Sequence, residues 1–310
     1  MAMRADGFSE TACAILALTT RLAWRMDMPQ PLPRSVVRRM LRSGALQGLV
    51  LRDTPEIEGK WLDRARILLM RVSDVADGMQ AYREADYELL LEGDARWPLQ
   101  LRTLGEQEPL FLYVKGNSEL LQSRMISVAG SRRILARTQA AANATGKRIV
   151  QDGATLVTGG ASGTDTCSLR GALQVGGGAV IVPAKPAQCV LADKQLGFAF
   201  EQGKLLIACD TLPDEPFSAA KALSRNHTIY ALGEVSLVVA ARLGCGGSWR
   251  GASDCLGKGL SPVYVWDGEN PDTAGSHALC SLGAGKYSVD IPFDKQFSER
   301  IRQTSMFDGG

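Results

Sequence analysis

An apolar run, Ala154-Thr155-Leu156-Val157, empties into Thr158-Gly159-Gly160-Ala161-Ser162-Gly163-Thr164-Asp165 and then into a segment of helical character that reaches Leu173. A strand, a glycine-rich turn and a helix in this order constrain the fold more than any other stretch, because the order belongs to open parallel α/β sheets. The first N–H groups of such a helix lack partners within it, and the positive end of its dipole lies at the same place, which suits the turn to phosphate. Gly160-x-x-Gly163 does not have the G-x-G-x-x-G spacing of a dinucleotide turn, and no Gly-Lys-Ser/Thr follows it. Asp165 lies inside the turn, where a carboxylate is also expected to cap helix N–H groups.

The surrounding pattern repeats this unit. Strands are expected at 111–114, 125–129, 154–157, 179–182, 205–208, 236–240 and 262–266, with helical segments between them. That alternation predicts an α/β protein with a doubly wound, mostly parallel sheet and ligand groups at the carboxyl ends of its strands. Upstream, residues 11–26, 33–42, 60–69 and 72–91 read as helices, so a small helical N-terminal region (1–92) precedes the sheet domain (93–268). Residues 269–310 read as an irregular C-terminal extension, with 303–310 as a loose tail.

Composition narrows the class. With 45% hydrophobic and 22% charged residues over 310 positions, the chain can bury a full core. Its apolar runs fall far short of the roughly 20 residues that cross a bilayer, and no signal pattern opens it, so a cytoplasmic protein without a membrane partner is expected. Seven cysteines without a C-x-x-C pair, beside two histidines, predict reduced and mostly buried thiols, with no metal and no cofactor. The net charge of +2 hides a split: residues 1–52 carry eight arginines against three acids, and residues 71–110 nine acids against four arginines, giving opposite fields if each stays local. Val36, Val37, Met40 and Leu41 form one face of the 33–42 helix with its arginines opposite, a face open to solvent or to nucleic acid.

Four polar clusters fall at expected strand ends: Gly130-Ser131-Arg132, the 159–165 turn with Gly160, Ser162, Gly163 and Asp165, then Arg225-Asn226-His227, and Gly246-Gly247-Ser248-Trp249-Arg250. In a doubly wound sheet these ends share one rim, so backbone N–H groups, a hydroxyl and guanidiniums are expected to build one anion pocket. Arginine suits it because the planar fork binds phosphate in two places and stays charged. Lys185, Lys194 and Lys221 lie in expected loops near the rim, as extensions of the track or as solvated lysines. Trp249 is either a stacking surface for an unpaired base or a core residue.

These motifs, in their order and spacing, resemble the DprA/Smf family of DNA-processing proteins from about Asp94 to Trp266. Asp94-Ala95-Arg96-Trp97-Pro98-Leu99-Gln100-Leu101 is similar to the family's opening, and Val128-Ala129-Gly130-Ser131-Arg132 to its first phosphate turn. The 159–173 stretch, Arg225-Asn226 and Gly247-Ser248 resemble its later motifs, while Leu169 and His227 stand where the family commonly has histidine and arginine. The resemblance implies an extended Rossmann-like fold, non-catalytic binding of single-stranded DNA, delivery of strands to a RecA-type recombinase, and a homodimer. A role in DNA processing, recombination or phage defence is equally consistent with it. The same turn is loosely similar to that of LOG-type enzymes, which leaves open a nucleotide-sensing or nucleoside-monophosphate-hydrolysing domain with Asp165 or Glu234 as its acid.

Overall fold

A computed structural model describes residues 9–50 and 59–297, so the tail expected at 303–310 lies outside the described residues. The chain forms two units: Met1–Ala95 with Gly105–Val114 and Asp210–Pro213, and Arg96–Leu104 with Lys115–Cys209 and Asp214–Gly310. Among the described residues no helix is long and apolar enough to cross a membrane.

The first unit is built on α1 (Glu10–Thr19), whose N-cap Ser9 accepts the Ala12 N–H at 3.1 Å. Every residue from Ala12 to Leu18 is buried, so α1 is apolar all round and forms the centre of the unit. Around it lie α2 (Arg34–Arg42), α3 (Ala45–Val50), α4 (Gly59–Leu69) and α5 (Val72–Glu84). Arg71 is buried beside the C-terminal end of α1, where it donates to the carbonyls of Ala17, Thr20 and Leu22. Its charge complements the negative end of the helix dipole, while burial lowers its pKa to about 10.

The expected arginine face of α2 is corrected by the structure. Val36, Val37 and Met40 are buried as expected, but Arg38 is buried with them, at 1% exposure, and Leu41 is only half-buried. Arg38 Nη1 contacts Glu92 at 2.7 Å and Glu108 at 3.2 Å, and its Nη2 donates to the carbonyls of Glu108 and Pro109. Arg42 pairs with Glu106. Two arginines of the basic segment, Arg38 and Arg42, thus pair with three acids of the acidic segment within the unit.

The helix expected through residue 91 stops at Glu84. Asp86 turns left-handed (φ 58°), a conformation that Asp tolerates better than most residues. The following residues form β1 (Glu88–Leu91), antiparallel to β2 (Phe111–Gly116), with Glu88 opposite Val114.

The second unit carries β3 (Met125–Ala129), α6 (Ala136–Gln151), β4 (Thr155–Thr158), α7 (Thr164–Gln174), β5 (Ala179–Ile181), α8 (Gln188–Leu191), α9 (Lys194–Glu201) and β6 (Leu205–Cys209). Then come α10 (Ala219–Leu232), β7 (Val235–Val238), α11 (Gly246–Lys258), β8 (Val263–Trp266), α12 (Ala274–Leu279) and β9 (Gly285–Tyr287). Its seven strands are parallel in the order β6-β5-β4-β3-β7-β8-β9. This is the expected doubly wound sheet, and the chain reverses its direction of travel between β3 and β7. A crevice opens at the carboxyl ends of those two strands, where each connection leaves on its own side.

Two glycines set the packing of α6 on α7. A Cβ at Gly146 would strike the Ser168 carbonyl oxygen, and one at Gly171 would strike that of Asn143, so the two backbones meet without side chains between them. Beyond residue 268 the expected irregular extension is replaced by order. A 3-10 turn (Pro271–Thr273), α12 and β9 continue the α/β pattern, and Tyr264, Tyr287, Phe293 and Phe297 form an aromatic cluster over the edge. The thiols are all free; Cys13, Cys209 and Cys255 are buried, but Cys189 and Cys245 are exposed, so burial is less general than expected.

Candidate nucleic-acid interface

Four segments of the second unit meet at the β3–β7 crevice and line a cleft of about 820 Å³. From the turn after β3 come Gly130, Ser131, Arg132 and Arg133, and from the turn after β4 come Gly159, Ala161 and Asp165. The face of α10 supplies Arg225, Asn226 and Tyr230, and the segment after β7 supplies Arg242, Cys245, Gly246, Gly247, Ser248 and Arg250.

The β3 turn is fastened on both sides. The Ser131 N–H donates to the Ala240 carbonyl at 2.9 Å and its hydroxyl to the same oxygen at 3.3 Å. The Ser131 carbonyl in turn accepts the N–H and the hydroxyl of Thr164, each at 3.2 Å. The Ser131 hydroxyl, expected to meet phosphate, is thus spent on the segment that follows β7.

The glycine turn after β4 is closed in the same way. Gly163 adopts φ 79°, and a Cβ there would enter the carbonyls of Ser131 and Arg132. Thr164 N–H goes to Ser131 and Thr166 N–H to Ala161, which uses two of the groups expected to bind anions. Asp165 does not cap the start of α7; its carboxylate reaches back to the Ala161 N–H at 3.2 Å and locks the turn. Burial pushes the Asp165 pKa up to about 6, against the pull of Arg225, the Ala161 N–H, Thr158 and Arg132 in the opposite direction. Arg225 is itself buried, and its guanidinium occupies the space a side chain at Gly159 would need.

The other glycine turn stays open. α11 starts at Gly246 with no side-chain cap from its N-cap residue Cys245, and Gly246, Gly247 and Ser248 face the cleft. Asn226 Nδ2 donates to the Gly247 carbonyl at 3.4 Å, setting α10 against the turn. Arg132, Arg133, Arg242 and Arg250 are exposed, and among the described residues none of their four guanidiniums has a hydrogen-bond or ion-pair partner. At the floor, the Tyr230 hydroxyl is buried without a hydrogen-bond partner among the described residues. The cleft thus combines exposed guanidiniums, an uncapped helix start and one buried carboxyl, an arrangement that attracts polyanions.

Nine of the fifteen residues expected in the pocket line this cleft: Gly130, Ser131, Arg132, Asp165, Arg225, Asn226, Gly247, Ser248 and Arg250. Gly160, Ser162 and Lys185 line a separate cavity of about 220 Å³ instead. Gly163 lies behind the turn as a packing residue, and Lys194 begins α9 outside both cavities. Lys221 binds the carbonyls of Glu215 and Pro216, each at 3.1 Å, and pairs with Glu215, so it staples a loop and does not extend the track. His227 pairs with Asp254 at 3.1 Å. Glu234 is held by Arg124, away from the cleft, and Trp249 is half-buried and lines neither cavity. Sequence reasoning missed Arg133, Arg242, Tyr230 and Phe217 as lining residues. Arg242, two residues beyond the expected end of its strand, was open to the strand-end argument.

The model of the family described as DNA recombination-mediator protein A matches residues 88–291. DNA processing protein A from Streptococcus pneumoniae has a similar structure, with a TM-score of 0.68 at 18% identity, covering 90% of this chain and 95% of that one. DNA processing protein A from Helicobacter pylori, whose structure concerns its single-stranded DNA binding mode, matches with a TM-score of 0.56 at 20% identity, covering 71% and 96%. No curated protein matches the chain significantly.

Proposed function

The chain belongs to the DNA recombination-mediator protein A family, and from that premise we propose that its β3–β7 cleft binds single-stranded DNA without catalysis. One observation carries this reading: four exposed guanidiniums, Arg132, Arg133, Arg242 and Arg250, surround the uncapped start of α11 in a single cleft with no partner among the described residues. Phosphates meet the guanidiniums and the Gly247 and Ser248 N–H groups, and strand binding is driven largely by counterion release. The bound strand is passed to a RecA-type recombinase or retained for DNA processing or defence, and a homodimer spans a longer tract than one protomer reaches.

Cleavage of nucleoside monophosphates is less well supported. It needs a carboxylate in the open cleft, whereas Asp165 is 7% exposed and engaged by the turn, and Glu234 and Asp254 are paired elsewhere.

The test is fluorescence anisotropy of a labelled oligothymidylate across a salt series, with duplex DNA and free nucleotides as competitors. The expected outcome is affinity that falls with salt by about 0.7 log units per log unit for each phosphate held. Displacement by micromolar nucleoside monophosphate, or release of free base from it, overturns the reading. Light scattering and co-precipitation with a recombinase test the dimer and the hand-over separately.

A further inference from the structure

Phe217 sits at the mouth of the cleft with 53% of its surface exposed. Burying such a side chain stabilises a fold, and this ring forgoes much of that gain. Its place just before Ser218, the N-cap of α10, is one where a hydrophobic residue ordinarily packs on the fourth helical residue. Here that residue is Ala222, whose single methyl is too small to cover a phenyl ring. The backbone that carries the ring is nevertheless fixed on both sides. Lys221 Nζ binds the carbonyls of Glu215 and Pro216, immediately before it, and the Ser218 hydroxyl accepts the Lys221 N–H at 3.2 Å.

Ala219, Ala222 and Leu223 continue the apolar surface from Phe217 along the α10 side of the cleft, while the guanidiniums stand on the segments that follow β3 and β7. A nucleotide has the same two halves, a flat apolar base and an anionic phosphate. From this pairing we infer that Phe217 is the platform on which one unpaired base of a bound strand stacks, and that it sets the preference for single over double strands; the inference rests on the proposed DNA-binding role of the cleft. In a duplex both faces of each base are covered by its neighbours, so the ring gains nothing from duplex DNA, whereas the guanidiniums meet phosphate in either form. The stacking surface expected at Trp249 is thereby reassigned to Phe217.

The test compares Phe217→Ala and Phe217→Trp with the wild-type chain, using an oligothymidylate, the same backbone with abasic sites, and a duplex, all by anisotropy. Stacking contributes about 1–3 kcal/mol per base, so Phe217→Ala is expected to weaken oligothymidylate binding by about fivefold to 150-fold. Its duplex affinity, abasic-strand affinity and salt slope should stay unchanged. Phe217→Trp restores binding, with its indole fluorescence quenched by the bases. Equal losses on all three ligands, or no loss on oligothymidylate, overturn the role of Phe217 and leave the cleft's function standing. Failure of the wild-type chain to bind any of the three overturns both.

Discussion

α7 and α11 both begin on glycine-rich turns at the carboxyl end of a central strand, yet one start is sealed and the other is open. Gly163 lies against the carbonyls of Ser131 and Arg132, Thr164 and Thr166 give their N–H groups to neighbouring carbonyls, and Asp165 fills the turn. At α11, a Cβ on Gly247 would meet nothing closer than 3.8 Å, and no side chain caps the helix. The same kind of sequence thus builds a fastener in one place and a binding surface in the other. What separates them is whether a third segment covers the N–H groups, which here is the β3 turn.

Substituting alanine at each turn separates the two roles, and Gly163→Ala has the largest expected effect. The positive φ and the two carbonyls cost about 2–4 kcal/mol, read as a lower urea midpoint, with DNA binding lost only as the fold loosens. An unchanged midpoint there would remove the distinction between the turns. Next, Arg132→Ala or Arg250→Ala is expected to weaken oligonucleotide binding by about tenfold and reduce the salt slope, with the urea midpoint held, since each is exposed and unpaired among the described residues.

The pH dependence has a definite sign. Asp165 titrates near 6 in the fold, from an ordinary value of 3.8, so its ionisation removes about 3 kcal/mol of stability as the pH rises through that window. Below it the carboxyl is neutral and the cleft carries one negative charge fewer, so DNA affinity is expected to rise several-fold from pH 7.5 to 5. Asp165→Asn should flatten both profiles, and a profile that persists in the variant assigns it to another group. Least of all is Gly247→Ala, which lies in a helix with room around it and should raise stability by up to about 1 kcal/mol while weakening DNA binding a few-fold. Opposite signs at 163 and 247 under one substitution are the sharpest form of the contrast.

Legibility in the sequence followed the range of the interactions involved. The central strands are short apolar runs bounded by turn residues, and they stand within a residue or two of the expected positions. β1 was hidden because Glu88-Leu89-Leu90-Leu91 continues a helical pattern, and only the left-handed Asp86 breaks it. β9, Gly285-Lys286-Tyr287, carries no apolar run at all and is defined by its pairing with β8. At the site, the clusters that converge were readable from strand ends, but the state of each turn was not. The carbonyl that closes α7 comes from Ser131, and the carboxylates that hold Arg38 lie at Glu92 and Glu108, far along the chain. A motif specifies its own backbone, but not which distant partner arrives to satisfy it.

The place of β3 has a consequence for how the protein is made. β3 pairs with β4 on one side, some 30 residues on, and with β7 on the other, about 110 residues on. On the ribosome, β3 to β6 can assemble while the β7 side of β3 is still an open parallel edge, the kind of surface that recruits stray strands. The Ser131–Ala240 bond that fastens the β3 turn cannot form before Ala240 emerges. Chains released early would therefore carry a half-sheet with no cleft, making the interval between the synthesis of β6 and β7 the period when a nascent chain most needs a chaperone.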